Sequence, residues 1–141
     1  MAFVFPPVFA RAAVVLLAAS ALAGCASMAT TPENAVQARA TQYWKLRVAN
    51  DIDSSYAYLT PSYRGATTLS SYKKGFGNFV ELKSAEVASV VCEGADKCVV
   101  NSKVEAKPLI LFGRRELPPI VTYIDETWLR EDGQWWLFPT P

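Results

Sequence analysis

Asp125 and Glu126 stand side by side in the run Ile124-Asp125-Glu126-Thr127-Trp128. A carboxyl group set among apolar and aromatic residues is the kind whose pKa burial displaces. A displaced carboxyl can work as a general acid or base. Tyr43, Tyr123 and Trp128 could line an apolar pocket beside it. Side chains alternate along a strand, so only one of the two carboxylates can point inward. That one could equally serve an arginine or a helix end. The chain contains no His, which removes the commonest general base and the commonest metal ligand. No metal or cofactor is expected, and Asp125 and Glu126 are the catalytic candidates of a chain read first as non-catalytic.

The N-terminal third carries a different chemistry. Arg11 is the only charge before Glu33, and it precedes the apolar run 12–23. That run has the length of a signal-peptide core and is short of the ~20 residues that a membrane span requires. Leu22-Ala23-Gly24-Cys25 follows, and this quartet resembles the lipobox of bacterial lipoproteins. The resemblance implies that residues 1–24 are a signal peptide, removed after the Cys25 sulfur has taken a diacylglyceryl group. Small residues before the Cys suit a peptidase that admits a slim, extended chain. Residues 25–32 would then be a polar tether, and 117 of the 141 residues would remain, with 13 basic and 13 acidic side chains. Such a chain holds the membrane by its acyl groups, at ~0.8 kcal/mol per buried methylene, and not by a basic patch. Ala26 stands where an Asp would retain a lipoprotein at the inner membrane. The sorting rule of Gram-negative lipoproteins therefore implies the outer membrane, facing the periplasm. A retained membrane anchor and an ordinary secretory signal are the competing readings. The stretch before Arg11 is unusually apolar and holds no Lys.

Three Cys make an odd count, which the resemblance resolves by giving Cys25 to lipid. Cys92 and Cys98 flank a polar loop with Gly94 and Asp96, between β-branched neighbours, as in a hairpin with one Cys on each shoulder. In an oxidising periplasm they are expected to form a disulfide, a structural staple worth roughly 2–2.5 kcal/mol for so short a loop. The spacing is not that of a redox-active pair, and two thiols without His make a poor zinc site.

The elements that would position these groups follow from periodicity. Thr31-Pro32-Glu33 is a helix start: a capping hydroxyl, a Pro at the first position and an acid at the positive end of the dipole. Val36, Ala40, Tyr43, Trp44 and Val48 recur at helical spacing and predict a helix from about 32 to 50, with Arg39, Lys45 and Arg47 mostly off that stripe. A short helix capped by Asp53 is expected next. A turn restarts at Thr60-Pro61 and stops at Gly65, and another short helix runs near 69–76. Gly75-Phe76-Gly77 lacks the Lys and preceding strand of a phosphate loop and reads as a helix terminator. From Val80 the period becomes two. Ala88, Val90 and Cys92 are expected on one face of a strand, paired with Cys98, Val100, Val104 and Ala106. Leu109–Phe112 and a turn at 113–116 follow. Pro118-Pro119 then leads into a strand over 120–130, the Asp132-Gly133 turn and a last strand from Trp135. Helices first and a hairpin-linked meander after them imply an α+β domain with helices on one face of an antiparallel sheet of at least four strands.

This pattern resembles the NTF2-like, or cystatin-like, superfamily over residues 33–141. The carriers are the amphipathic first helix, the segment Asn50–Arg64, and Trp128-Leu-Arg-Glu-Asp-Gly-Gln-Trp135. The resemblance implies a cone in which the sheet curls around the long helix and leaves an apolar pocket. A two-residue turn at Asp132-Gly133 sets 130 against 135, 129 against 136 and 128 against 137. Ile124, Glu126, Trp128, Trp135 and Leu137 then share one face, and Tyr123, Asp125, Leu129, Trp136 and Phe138 the other. Both faces are half apolar, so periodicity alone does not choose. The resemblance favours burying the Trp135 face, where Arg130 could stack on Trp135.

Near-neutral charge argues against nucleic acid as a partner. Seventeen aromatics suit a binding module for a small apolar ligand or an envelope protein, although most such side chains simply fill a core. The alternative is a small isomerase- or cyclase-type enzyme, implied by the same superfamily, with Asp125 or Glu126 in the pocket. A third reading is a scaffold that forms a homodimer through a sheet face bordered by Leu109–Phe112 and Pro118-Pro119.

Overall fold

A computed structural model describes residues 30–76, 79–109 and 117–139. The Cys25 motif, Gly77, the segment 110–116 and the last two residues lie outside them. Four helices precede four strands. Helix α1 (Pro32–Val48) starts as its sequence dictates, with the Thr31 side chain accepting from the Asn34 N–H and Pro32 in the first turn. It buries Val36, Ala40, Tyr43 and Trp44.

Helix α2 (Ile52–Tyr56) is capped by Asp51, whose carboxylate accepts from the Ser54 N–H at 3.0 Å. The expected cap, Asp53, lies inside the helix and instead pairs with Lys73 on α4 (Leu69–Lys74). Helix α3 (Pro61–Ala66) starts at the Thr60 cap and runs through Gly65, where the sequence predicted a stop, to end at Thr67, whose N–H bonds the Tyr63 carbonyl. Gly75 closes α4. Tyr56, Tyr63, Tyr72 and Phe76 pack ring against ring across these short helices, with centroids 4.7–6.4 Å apart. Those contacts supply the burial that such brief helices need to form at all.

The strands β1 (Val80–Cys92), β2 (Lys97–Pro108), β3 (Ile120–Glu131) and β4 (Gln134–Phe138) form one antiparallel sheet in the order 1-2-3-4. The domain is therefore α+β. The β3–β4 register is 130 opposite 135, 129 opposite 136 and 128 opposite 137, as the turn predicts. Asp132 and Gly133 both take positive φ, 52° and 76°, as that two-residue turn demands. The Trp135 face is the buried one: Trp128, Trp135 and Leu137 join Cys98, Val100, Val104 and the α1 stripe in the core. Arg130 opposes Trp135 but does not stack on it. Trp135 is covered by the core, and its neighbour Trp136 receives cations from the helices instead.

Strand β1 departs from simple alternation. The β1–β2 register slips between Leu82 and Ser84 and again between Val87 and Ser89. Lys83 and Ala88 are the extra residues. Ala88 is therefore exposed, not on the face of Val90 and Cys92, and Val87 takes the inward place. Two bulges in one strand bend it and raise its twist, and β1 is the strand on which α1 chiefly packs. Cys92 and Cys98 face each other across the hairpin and are joined by a disulfide. At the far edge, the 58–60 segment pairs in parallel with β4, through Thr60 N–H to Leu137 C=O at 2.9 Å and Leu137 N–H to Tyr58 C=O at 2.8 Å. This covers part of an otherwise open sheet edge.

Candidate functional site: a buried carboxyl in an aromatic cavity

Glu126 lies mid-strand on the inward face of β3 and is 7% exposed. Its Oε2 accepts from Trp44 Nε1 at 2.8 Å and from Ser102 Oγ at 3.0 Å; Trp44 Nε1 also lies 2.9 Å from Ser102 Oγ. Trp44 comes from α1 and Ser102 from β2, so helix and sheet hold one oxygen between them. Among the described residues no hydrogen bond reaches Oε1, and Glu126 lines a cavity of about 350 Å³.

Tyr43, Tyr63, Tyr72, Phe76, Leu59 and Leu137 supply most of the aromatic and aliphatic wall of that cavity, and Arg47 supplies a cation. Arg47 Nη1 donates to Tyr43 Oη at 3.0 Å, and its guanidinium carbon sits 3.9 Å from the centre of the Phe76 ring. Its Nε is buried without a partner.

Burial pushes the Glu126 carboxyl up to about pKa 7, against the opposing pull of Trp44, Ser102 and Arg47. Burial likewise raises the Tyr43 phenol, so that it remains a neutral donor. Near neutral pH the carboxyl is thus divided between its protonated and ionised forms. A group in that condition can donate or accept a proton, or hold a hydrogen bond of either polarity.

The candidates named from sequence separate clearly. Tyr43 and Glu126 meet in the cavity wall. Asp125, on the opposite face of the strand, accepts from Asn101 Nδ2 at 2.7 Å and is exposed, although it too contributes to the cavity lining. Tyr123 is 60% exposed on the outer face. Trp128 is wholly buried, edge-on to Tyr43, and its Nε1 has no partner; it does not line the cavity.

Sequence reasoning missed Trp44, Ser102 and Arg47 as members of the site. The signal for Arg47 was present. It stands four residues after Tyr43 and seven after Ala40, in line with the buried stripe, but its charge placed it with the solvent-facing residues. Among the described residues no group of three or more His, Cys, Asp or Glu could hold a metal ion, and no helix is long and apolar enough to cross a membrane. Neither the protein-family models nor the curated proteins yield a match to this chain.

Proposed function

We propose that the chain is a lipid-anchored envelope protein, tethered through Cys25, whose NTF2-like domain binds a small, largely apolar ligand. The domain would comprise residues 33–141. The observation that carries the binding function is the Glu126 carboxyl in the wall of an aromatic-lined cavity, with one oxygen clamped by Trp44 and Ser102 and the other without a hydrogen bond among the described residues. The ligand would lay an apolar body against Tyr63, Tyr72 and Phe76 and offer one polar group to Glu126 and Arg47. Helices preceding a four-stranded meander, a bulged first strand beneath α1 and a cavity on the helical side all suit the superfamily's cone.

The experiment is capture of the tethered protein from bacterial envelopes, followed by mass spectrometry of extracted small molecules. Glu126→Gln should change what is recovered, and Asp125→Asn should leave it unchanged. If neither substitution alters the captured material, the cavity is not the binding site. Mass spectrometry of the amino end tests the anchor separately, since an intact, unmodified N-terminus is incompatible with it.

A second reading is an acid–base enzyme of the isomerase or cyclase type, favoured by the Glu126 pKa near 7 beside the neutral Tyr43 phenol. It differs in one outcome: Glu126→Gln would still capture the ligand and would no longer convert it.

A further inference from the structure

A second polar cluster lies outside that cavity, where α1 and α3 meet the edge strand β4. Arg39 lies with its guanidinium carbon 4.6 Å from the centre of the Tyr58 ring and 5.0 Å from that of Trp136. Arg64 lies 5.1 Å from the same Trp136 ring. Both cations are tied by Nε to main-chain carbonyls, Arg39 to Trp135 and Arg64 to Leu59 at 3.1 Å. Arg39 spends its terminal nitrogens on the Gln134 side-chain oxygen, at 2.6 and 2.9 Å, in the amide orientation that satisfies both groups. The terminal nitrogens of Arg64 meet no acceptor among the described residues.

Neither guanidinium has a carboxylate within 4.0 Å among those residues, and all four ion pairs there use lysines. The two arginines share one indole, so they stand no more than about 10 Å apart, the Debye length at 0.1 M salt. Each therefore feels the other's charge. The field of Arg64, after burial, helps to lower the pKa of Arg39. Like charges held on one indole without a carboxylate partner among the described residues are unfavourable, and aromatic stacking and main-chain bonds hold them there. A planar fork whose Nε is anchored and whose outer edge is open is preorganised for an oxyanion.

We propose that the Arg64 guanidinium edge, beside Arg39 and Trp136, is a binding site for an oxyanion-bearing ligand. The oxyanion would take paired hydrogen bonds from Arg64 and lie in the field of Arg39, with the indole limiting access of water. This site is separate from the Glu126 cavity and does not depend on the ligand proposed there.

The test is an NMR titration of the folded protein at constant ionic strength, reading the Arg Nε–H and Trp136 indole N–H signals. Two probes are used: inorganic phosphate, and glucuronate, whose carboxylate sits on a sugar ring. Saturable shifts at Arg64 and Trp136 with either probe support the site, and the tighter probe tells a tetrahedral oxyanion from a planar carboxylate. Arg64→Gln should weaken binding ~10-fold or more, the loss of a charge-assisted pair. Arg64→Lys should weaken it less, keeping charge without the fork. Arg130→Gln, an exposed cation on the same hairpin, should change it less than twofold. Shifts that rise linearly without saturating for both probes, or equal losses in Arg64→Gln and Arg130→Gln, would overturn the site.

Discussion

Helix α1 carries two arginines that invite direct comparison. Arg39 and Arg47 lie eight residues apart, roughly 12 Å along the helix. Each stacks on aromatic rings, and neither has a carboxylate within ion-pair distance among the described residues. Their surroundings then diverge. Arg47 lines a cavity together with the buried Glu126 carboxyl, whose ionised form its charge favours. Arg39 sits at a sheet edge beside a second guanidinium. The contrast teaches that a shared scaffold, a cation laid on aromatic faces, takes its chemistry from what burial does nearby. In the cavity, burial makes protonation the variable. At the edge, protonation is settled and only the counter-ion can vary.

The sharpest way to break this comparison is to remove the titrating group. With its folded pKa near 7 and an unfolded value near 4.3, the Glu126 carboxyl keeps its proton in the native state while the unfolded chain has lost it. Fewer protons bound in the unfolded state mean that stability falls as pH rises. The loss begins near pH 4, accumulates to about pH 7 and is constant above that. It amounts to on the order of 3 kcal/mol for a shift of this size. Glu126→Gln keeps an oxygen for Trp44 and Ser102 and has no charge to bury. Urea unfolding at pH 4 and pH 8 should therefore show the variant gaining on the wild type by that amount at the higher pH. A difference independent of pH would mean that the carboxyl titrates alike in the folded and the unfolded chain, and the distinction between the two ends of α1 would fail.

The hairpin of β1 and β2 provides a control in which neither arginine takes part. Cys92→Ala with Cys98→Ala removes a short-loop crosslink, at a cost of roughly 2–2.5 kcal/mol. That cost should be the same at pH 4 and pH 8, because no titrating group is involved. A pH-dependent loss would show that the staple and the cavity are coupled.

What the sequence made legible follows the same division. The β3–β4 register could be read because Asp132-Gly133 permits one turn geometry, and that geometry fixes every opposing pair. The α1 stripe and its Thr31-Pro32 start were equally plain. The bulges at Lys83 and Ala88 were not, since an extra residue in a strand leaves no mark when the neighbours are small or apolar. Asp51 and Asp53 are both good caps by type, and the fold gives the role to Asp51, which accepts from the Ser54 N–H while Asp53 pairs with Lys73. The site was half visible. Glu126 and Tyr43 stand out by chemistry, whereas Ser102 and Trp44 matter only because the fold brings positions 44, 102 and 126 together. The Cys25 motif lies outside the described residues, and its reading still rests on the sequence.

Trp44→Phe sharpens the comparison from the donor side. It keeps an aromatic ring, smaller than the indole, and removes the N–H that Glu126 Oε2 and Ser102 share, so the packing lost is the same at every pH and the hydrogen bond supplies the pH-dependent part. Above pH 7 the bond lost is to an ionised carboxylate, and the hydrogen-bond part of the cost is about 1.5 kcal/mol. Below pH 5 it is to a neutral acid, and the cost should be visibly smaller. The Glu126 midpoint, followed by carbon NMR of the carboxyl, should also move above 7, because that hydrogen bond favours the ionised form. A midpoint that stays in place would remove Trp44 from the site.

The smallest effects compare the two arginines themselves. Arg39→Met and Arg47→Met each forfeit stacking of a cation on aromatic rings, ~0.5–1 kcal/mol at partly exposed positions. Their stabilities should fall by similar amounts. Their effects on Glu126 should not. The charge of Arg47 pulls that carboxyl down, so Arg47→Met should raise its midpoint further, while Arg39→Met should leave it where it is. Equal shifts from both would mean that Glu126 responds to the net charge of the helix. A shift from Arg47 alone would show that the cavity isolates one cation–carboxyl relation from the charge two turns away, the separation on which a binding site of controlled protonation depends.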